Sequence, residues 1–280
     1  MSATTSTPLD AGTPEHIGPP RTSGSWGKRI RSRLPGLISL CAFVGIWQLA
    51  VTLTDPNPLI LPGPGAVWDA FWLAVEEEQV WAAVQGSAGP LAIGMLFSLI
   101  AIPLGLLIGL SPTADLIASP YLWGFFALPN VSFAPLLILI TGFSTTTSIW
   151  MVFLSASVPL CLSCKDGVQS VDRGLVRAAQ SFGGGRVSVF LKVIAPCSLP
   201  FIASGVRNAI SRGFVGLLSV ELLIGTKGSI GGEVIQSLRT FDTARMMAFI
   251  LLLVAIALVL VSASRWLEVW ASRWREEVVI

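Results

Sequence analysis

The chain has 280 residues, of which 53% are hydrophobic and only 12% charged, with a formal net charge of +2. Soluble domains carry about a quarter charged residues, so this composition excludes an ordinary soluble protein and leaves a polytopic membrane protein, counted in spans of about 20 residues. The small net charge speaks against a nucleic-acid partner, and one histidine, His16, excludes a bis-histidine haem or multi-histidine metal centre.

Residues 1–33 are rich in Ser, Thr, Pro and Gly and turn basic at Lys28, Arg29, Arg31 and Arg33. They read as a disordered cytoplasmic tail ending in a juxtamembrane anchor. They make a poor signal peptide, because the first apolar run starts late and runs long. A transmembrane domain over 34–264 follows, then an amphipathic tail at 265–280. Hydropathy places six apolar segments near 35–54, 86–110, 117–142, 147–165, 198–224 and 246–264. Pro129 and Pro135 interrupt the third, which predicts two pieces joined by a kink. The expected fold is all-α, with about six transmembrane helices.

Two amphipathic pieces are expected along the membrane surface. One covers 65–84 with Trp68, Trp72 and Trp81; the other carries Trp266, Trp270 and Trp274 beside Arg265, Arg273 and Arg275. Interfacial anchoring explains these tryptophans better than an aromatic ligand cage. The run Glu76-Glu77-Glu78 reads as a solvated loop face. Cys161-x-x-Cys164 has no second CxxC beside it, and with Cys41 and Cys197 it reads as small thiols in or beside apolar segments.

Lysine and arginine cluster in the tail, in 165–192 (Lys165, Arg173, Arg177, Arg186, Lys192) and after 264, while 55–85 has none. Positive-inside logic puts both termini and 165–192 in the cytoplasm, and six spans satisfy that parity. Lys227, Arg239 and Arg245, in the last outer loop, run against it.

Between the fourth and fifth segments lies RAAQSFGGGRVSVFLKVIAP, Arg177 to Pro196. Its apolar positions predict two short amphipathic helices joined at Gly183-Gly184-Gly185 and closed by Pro196. Such a knob fits either a groove on a soluble partner or a lipid surface that its basic residues would favour. This stretch resembles the EAA loop of ABC-importer permeases: E-A-A, three residues, G, nine residues, then I-x-L-P. Ala178, Ala179, Gly183 and Pro196 fall on matching positions, with Val193 for Ile, Arg177 at the glutamate and Ala195 before the proline. LILPGPGAVWDAF (59–71), LPNVSFAPL (128–136) and GVRNAISRGFVGLLSVELL (205–223) resemble flanking family segments in order. The likeness is strongest to permeases for aliphatic sulfonates, taurine and nitrate.

The resemblance implies a type I importer permease in a bacterial plasma membrane, multi-pass, importing a small, anionic solute. It implies that 170–196 is a coupling region touching a cytoplasmic ATPase through Arg177, Ala178, Ala179, Gly183, Gly184, Gly185, Arg186 and Pro196. Two ATPase subunits, a second permease copy and an extracytoplasmic solute-binding protein would complete the assembly. The chain is expected to carry no cofactor and no catalytic residue, because no G-x4-G-K-[ST] string occurs; ATP and Mg would bind the partner.

Arg207, Arg212 and Glu221 lie within the fifth segment, where each central charge costs about 2.5–3.5 kcal/mol. Pro129, Pro135, Arg207 and Glu221 are therefore candidate translocation-path residues. Arg207 would attract an anionic substrate or snorkel to the cytoplasmic edge, and Glu221 would face the path or pair with another helix. Gly205, Ala209 and Gly213 form a small-residue stripe for the dimer or the chain's own core, with packing favoured over substrate contact. An ion-gradient-driven secondary transporter is the alternative class. Few mid-span acids and no visible inverted repeat argue against it.

Overall fold

The computed structural model describes residues 25–57 and 59–271, and every regular element among them is helical. Two compact units are distinguished, one ending at Ala50 and one starting at Val51. Helix α1 (Ser25–Thr54) exposes Ile38, Phe43, Ile46 and Leu49, as suits a lipid-facing surface. It begins at Ser25, so Lys28, Arg29, Arg31 and Arg33 belong to the helix rather than to an unstructured tail. Lysine and arginine are good helix formers and continue the apolar run without a break. The tail before Ser25 and the Trp270 and Trp274 side chains lie outside the described residues.

The second unit begins with α2 (Pro64–Glu76) and α3 (Gln79–Ser98). The surface piece expected over 65–84 is thus divided, because Glu78 adopts a left-handed conformation at φ 57° and turns the chain into the next helix. Glu76, Glu77 and Glu78 are exposed, as read from the sequence. Helix α4 (Ala101–Leu110) continues α3 after a 3₁₀ joint, where Leu99, Ile100 and Ile102 each bond three residues back. Pro103 explains the joint: its ring clashes with the carbonyl four residues earlier, at Leu99, and it donates no hydrogen bond.

Helix α5 (Pro112–Ala127) meets a 3₁₀ turn (Asn130–Phe133) and α6 (Ala134–Thr141) at a 97° bend. Leu128 is extended at ψ 138°, the conformation that the following Pro129 demands. Pro129 therefore breaks the segment. Pro135 does not, since it sits in the first turn of α6, where no donor is missed.

Helix α7 (Thr145–Gln169) runs to α8 (Arg173–Ser181), then α9 (Arg186–Val189), a π turn (Phe190–Ile194) and α10 (Ala195–Ile224). Helices α11 (Ile230–Arg239) and α12 (Thr243–Ala271) finish the chain. Among the described residues, four helices are long and apolar enough to cross a membrane: Gln79–Leu110, Thr145–Gln169, Arg186–Ile224 and Thr243–Trp266. The bent pair makes a fifth, and Ile38–Thr54 is a shorter apolar helix. The six apolar segments fall on these helices, the second with a joint at Leu99–Ile100 and the third with a break at Leu128–Pro129.

Helix α7 is the axis of the second unit. It packs on α10 along one side and on α3 and α4 along the other, burying Met151, Ala156, Leu160, Cys161 and Cys164. Small residues permit this approach: a Cβ at Gly205 would stand 2.7 Å from Ser163 Cβ, and one at Gly105 would overlap the Cys161 carbonyl. The stripe Gly205, Ala209, Gly213 therefore faces α7 within the same chain. Cys161 and Cys164 are packed thiols, with α4 against them.

Candidate functional site

The glycine-rich island is a defined turn at the N-terminal base of a span. Asp172 caps α8, its carboxylate accepting from the Gly174 N–H at 2.7 Å. At the other end Gly183 is left-handed at φ +83°. Its N–H donates to the Gln180 carbonyl at 2.9 Å and that of Gly184 to the Ala179 carbonyl at 3.0 Å. This pair of bonds is a Schellman closure, which requires the left-handed residue that glycine supplies. A Cβ at Gly184 would stand 2.7 Å from the Ala179 carbonyl, so the second glycine permits the close return, and Gly185 starts α9 in an extended conformation. The triplet is a shaped corner rather than a loose hinge.

The second half of the island differs from expectation. Pro196 does not close it, because Arg186–Ile224 runs on as one helical stretch. The Ala195 N–H reaches back to the Phe190 carbonyl, five residues away. That π turn just before Pro196 lets the helix absorb a residue that would otherwise clash in its interior. One free-standing amphipathic helix, α8, and the foot of α10 thus make up the knob. Leu175, Phe182, Val187 and Leu191 are exposed on it, Phe182 at 91%. Arg173, Arg177 and Arg186 are exposed there too, with no ion pair among the described residues. Arg177 Nε folds back onto the Arg173 carbonyl at 3.3 Å. Behind α8 a cleft of about 490 Å³ opens between Gly109, Asp115, Gln169, Arg173 and Ile194.

The charges in the spans are mostly paired. Lys165, counted from sequence as a loop cation, is 5% exposed. Its Nζ meets Asp115 Oδ1 at 3.1 Å and the Ser119 hydroxyl at 2.9 Å, while the Gln169 amide donates to Asp115 Oδ2 at 2.8 Å. Neither Asp115 nor its role in tying α5 to α7 carried any sequence signal. Arg207 meets Glu268 of α12 at 2.6 Å. Glu221 is 1% exposed and faces no surface of the chain. Its carboxylate accepts from the Ser87 hydroxyl at 2.8 Å and the Gly231 N–H at 3.0 Å, at the N-terminus of α11. The same Ser87 oxygen accepts from the Ile230 N–H at 3.0 Å. A carboxylate at a helix N-terminus meets both free N–H groups and the positive end of the dipole. At the start of the last span, Arg245 is offset by Glu233 of α11 at 3.3 Å, which accounts for one cation against the positive-inside pattern.

Arg212 is the exception. It stands over the Phe126 ring, 4.9 Å from its centroid, with no ion pair among the described residues. It lines a small cavity at the α5 break with Phe125, Asn130, Phe133, Met151 and Ser155. Pro129 sits at that break, and Pro135 in the first turn of α6.

The described residues thus form a span bundle broken at one helix, with a basic corner between two spans. Residues 101–276 match the family of binding-protein-dependent transport system inner membrane components, and the chain belongs to it. It is 30% identical to the taurine transport system permease protein TauC of Escherichia coli (strain K12), over 86% of this chain and 89% of that one. The putative aliphatic sulfonates transport permease protein SsuC of Bacillus subtilis (strain 168) is 25% identical, over 89% and 90% respectively. The nitrate import permease protein NrtB of Leptolyngbya laminosa is 26% identical over 72% and 75%. The protein is a multi-pass inner-membrane permease subunit of an ABC importer, a family that works with ATPase and solute-binding partners.

Proposed function

We propose that the chain forms the translocation path of an importer for a small anionic solute of the sulfonate, taurine or nitrate kind, with the corner at 170–196 as its ATPase contact. The carrying observation is Phe182, 91% exposed at the apex of a Schellman turn and flanked by unpaired Arg177 and Arg186. An aromatic side chain presented on a rigid polar corner is the form of a docking anchor. Ala178, Ala179, Gly183, Gly184 and Gly185 shape that corner, and Pro196 stands where it joins α10. ATP and Mg belong to the ATPase, so this chain contributes no cofactor site and no catalytic group. Its part is to move between inward- and outward-open states as the ATPase dimer closes. A second copy of the chain, two ATPase subunits and the solute-binding protein complete the assembly, with both termini cytoplasmic.

Purification of the full chain with its ATPase tests this. Phe182→Asp is expected to cut the co-purifying ATPase roughly tenfold or more, the scale of a lost interface anchor. Gly183→Val places a β-branched residue at φ +83°, a strain of about 1–2 kcal/mol, and is expected to do the same. Undiminished ATPase binding by both variants, or transport driven by an ion gradient with no ATPase present, would overturn the reading.

A further inference from the structure

We propose that Arg212 anchors a membrane-embedded binding site for a small oxyanion, in the crevice where the α5–α6 segment breaks against α7 and α10. The proposal deepens the importer reading and rests on it. Arg212 lies near the middle of the apolar stretch of α10 and is exposed on the surface of the chain, where in a bilayer an unneutralised guanidinium facing lipid is costly. The other charges of the spans leave nothing over for it. Asp115 is engaged by Lys165, Glu268 by Arg207, and Glu221 by Ser87 and Gly231. Phe126 offers Arg212 only the face of a ring, which attracts a cation but carries no net charge. A second copy of the chain brings a second Arg212 and the same acids, engaged in the same way, within its described spans. No acid of the described spans neutralises Arg212, so a bound anion can supply the counter-charge.

The surroundings suit an oxyanion. Asn130 lines the cavity with Arg212 and begins the half-helix that follows the break. A discontinuous helix brings the N-terminus of its second half, and the positive end of its dipole, to such a position. Ser155 lines the same cavity; it is 3% exposed and its Oγ has no hydrogen-bond partner among the described residues. A planar guanidinium, an amide and a hydroxyl match the oxygens of a sulfonate or nitrate group, and Phe125 and Phe133, stacked with centroids 5.6 Å apart, line the same cavity. The cavity holds about 20 Å³, room for one water and not for a sulfonate. The cavity is too small for an anion here, and opening the bend at Leu128–Asn130 is the movement that would admit one.

The full chain, purified with its ATPase in nanodiscs, is titrated with sodium methanesulfonate and, separately, with dimethyl sulfone, a neutral near-isostere. Thermal unfolding is followed by tryptophan fluorescence. Methanesulfonate is expected to raise the Tm of the wild type and of Lys227→Gln, an exposed loop cation, while the sulfone does not. Arg212→Gln is expected to weaken the apparent affinity roughly tenfold or more, and Arg212→Lys by less, since it keeps the charge without the fork. Asn130→Asp gives Arg212 an acid of its own and is expected to abolish the response, which decides the matter even if Arg212→Gln fails to fold. No methanesulfonate effect in the wild type, an equal effect of the sulfone, or wild-type titration by either Arg212→Gln or Asn130→Asp would overturn the site. Failure of the ATPase to co-purify counts instead against the importer reading, and the titration is then decided on the chain alone.

Discussion

Glu221 and Lys165 are both buried charges, yet they are held in different ways. Glu221 has no cation; its charge is met by a serine hydroxyl and by N–H groups at the start of α11. Glu221→Leu would orphan the Gly231 donor and is expected to cost about 2–3 kcal/mol, while Glu221→Gln, keeping an acceptor oxygen, costs less; thermal unfolding in detergent measures both. Lys165 relies on Asp115, whose side chain is 29% exposed, so water screens the pair in part. Lys165→Met is expected to cost about 1–3 kcal/mol, and Lys165→Met with Asp115→Leu less than that, because the double variant leaves no uncompensated charge. A double-mutant cycle on Tm would show the coupling. At this scale the sequence identified which charges were costly but not what satisfied them. Arg207 and Arg212 stand five residues apart with the same chemistry, yet Glu268 reaches only the first.

Proline acts at the scale of the element, and its effect depends on where in a helix it falls. Pro129 was correctly read as a break, because the residue before a proline avoids the helical region whatever surrounds it. Pro135 was read together with Pro129 yet begins a helix, and Pro196, read as closing the island, follows a π turn that absorbs it. Pro129→Ala is expected to relax the 97° bend. Spin labels at the exposed Leu116 and Ile140 would report it as a longer mean distance than in the wild type. An unchanged distance would mean that packing against α7, rather than the proline, holds the bend. The island shows the same dependence on position. Its composition was legible as a basic, amphipathic turn, but which of three glycines had to be left-handed emerged only from the closure bonds at Ala179 and Gln180.

For the whole molecule, the question is how a bundle with lipid on its outside holds together. Apolar burial gives helices little reason to associate when lipid tails are equally apolar, so close contact between small residues takes over. Gly205→Leu is therefore expected to destabilise the chain itself, by about 1–3 kcal/mol from overpacking against Ser163 and Leu160. A lower Tm would appear in the monomer as well as in any dimer; a purely oligomeric effect, seen by size exclusion with Tm intact, would place the stripe elsewhere. Hydropathy, charge asymmetry and the spacing around Gly183 determined the class, the apolar segments and the position of the basic corner, because those properties are read along the chain without knowing which distant residues meet. The pairings of Lys165 with Asp115, Arg207 with Glu268 and Glu221 with Ser87 were decided only by tertiary structure. Each joins residues far apart in the chain, and only tertiary packing brings them within hydrogen-bond reach, which also leaves Arg212, near the middle of α10, without an ion pair among the described residues.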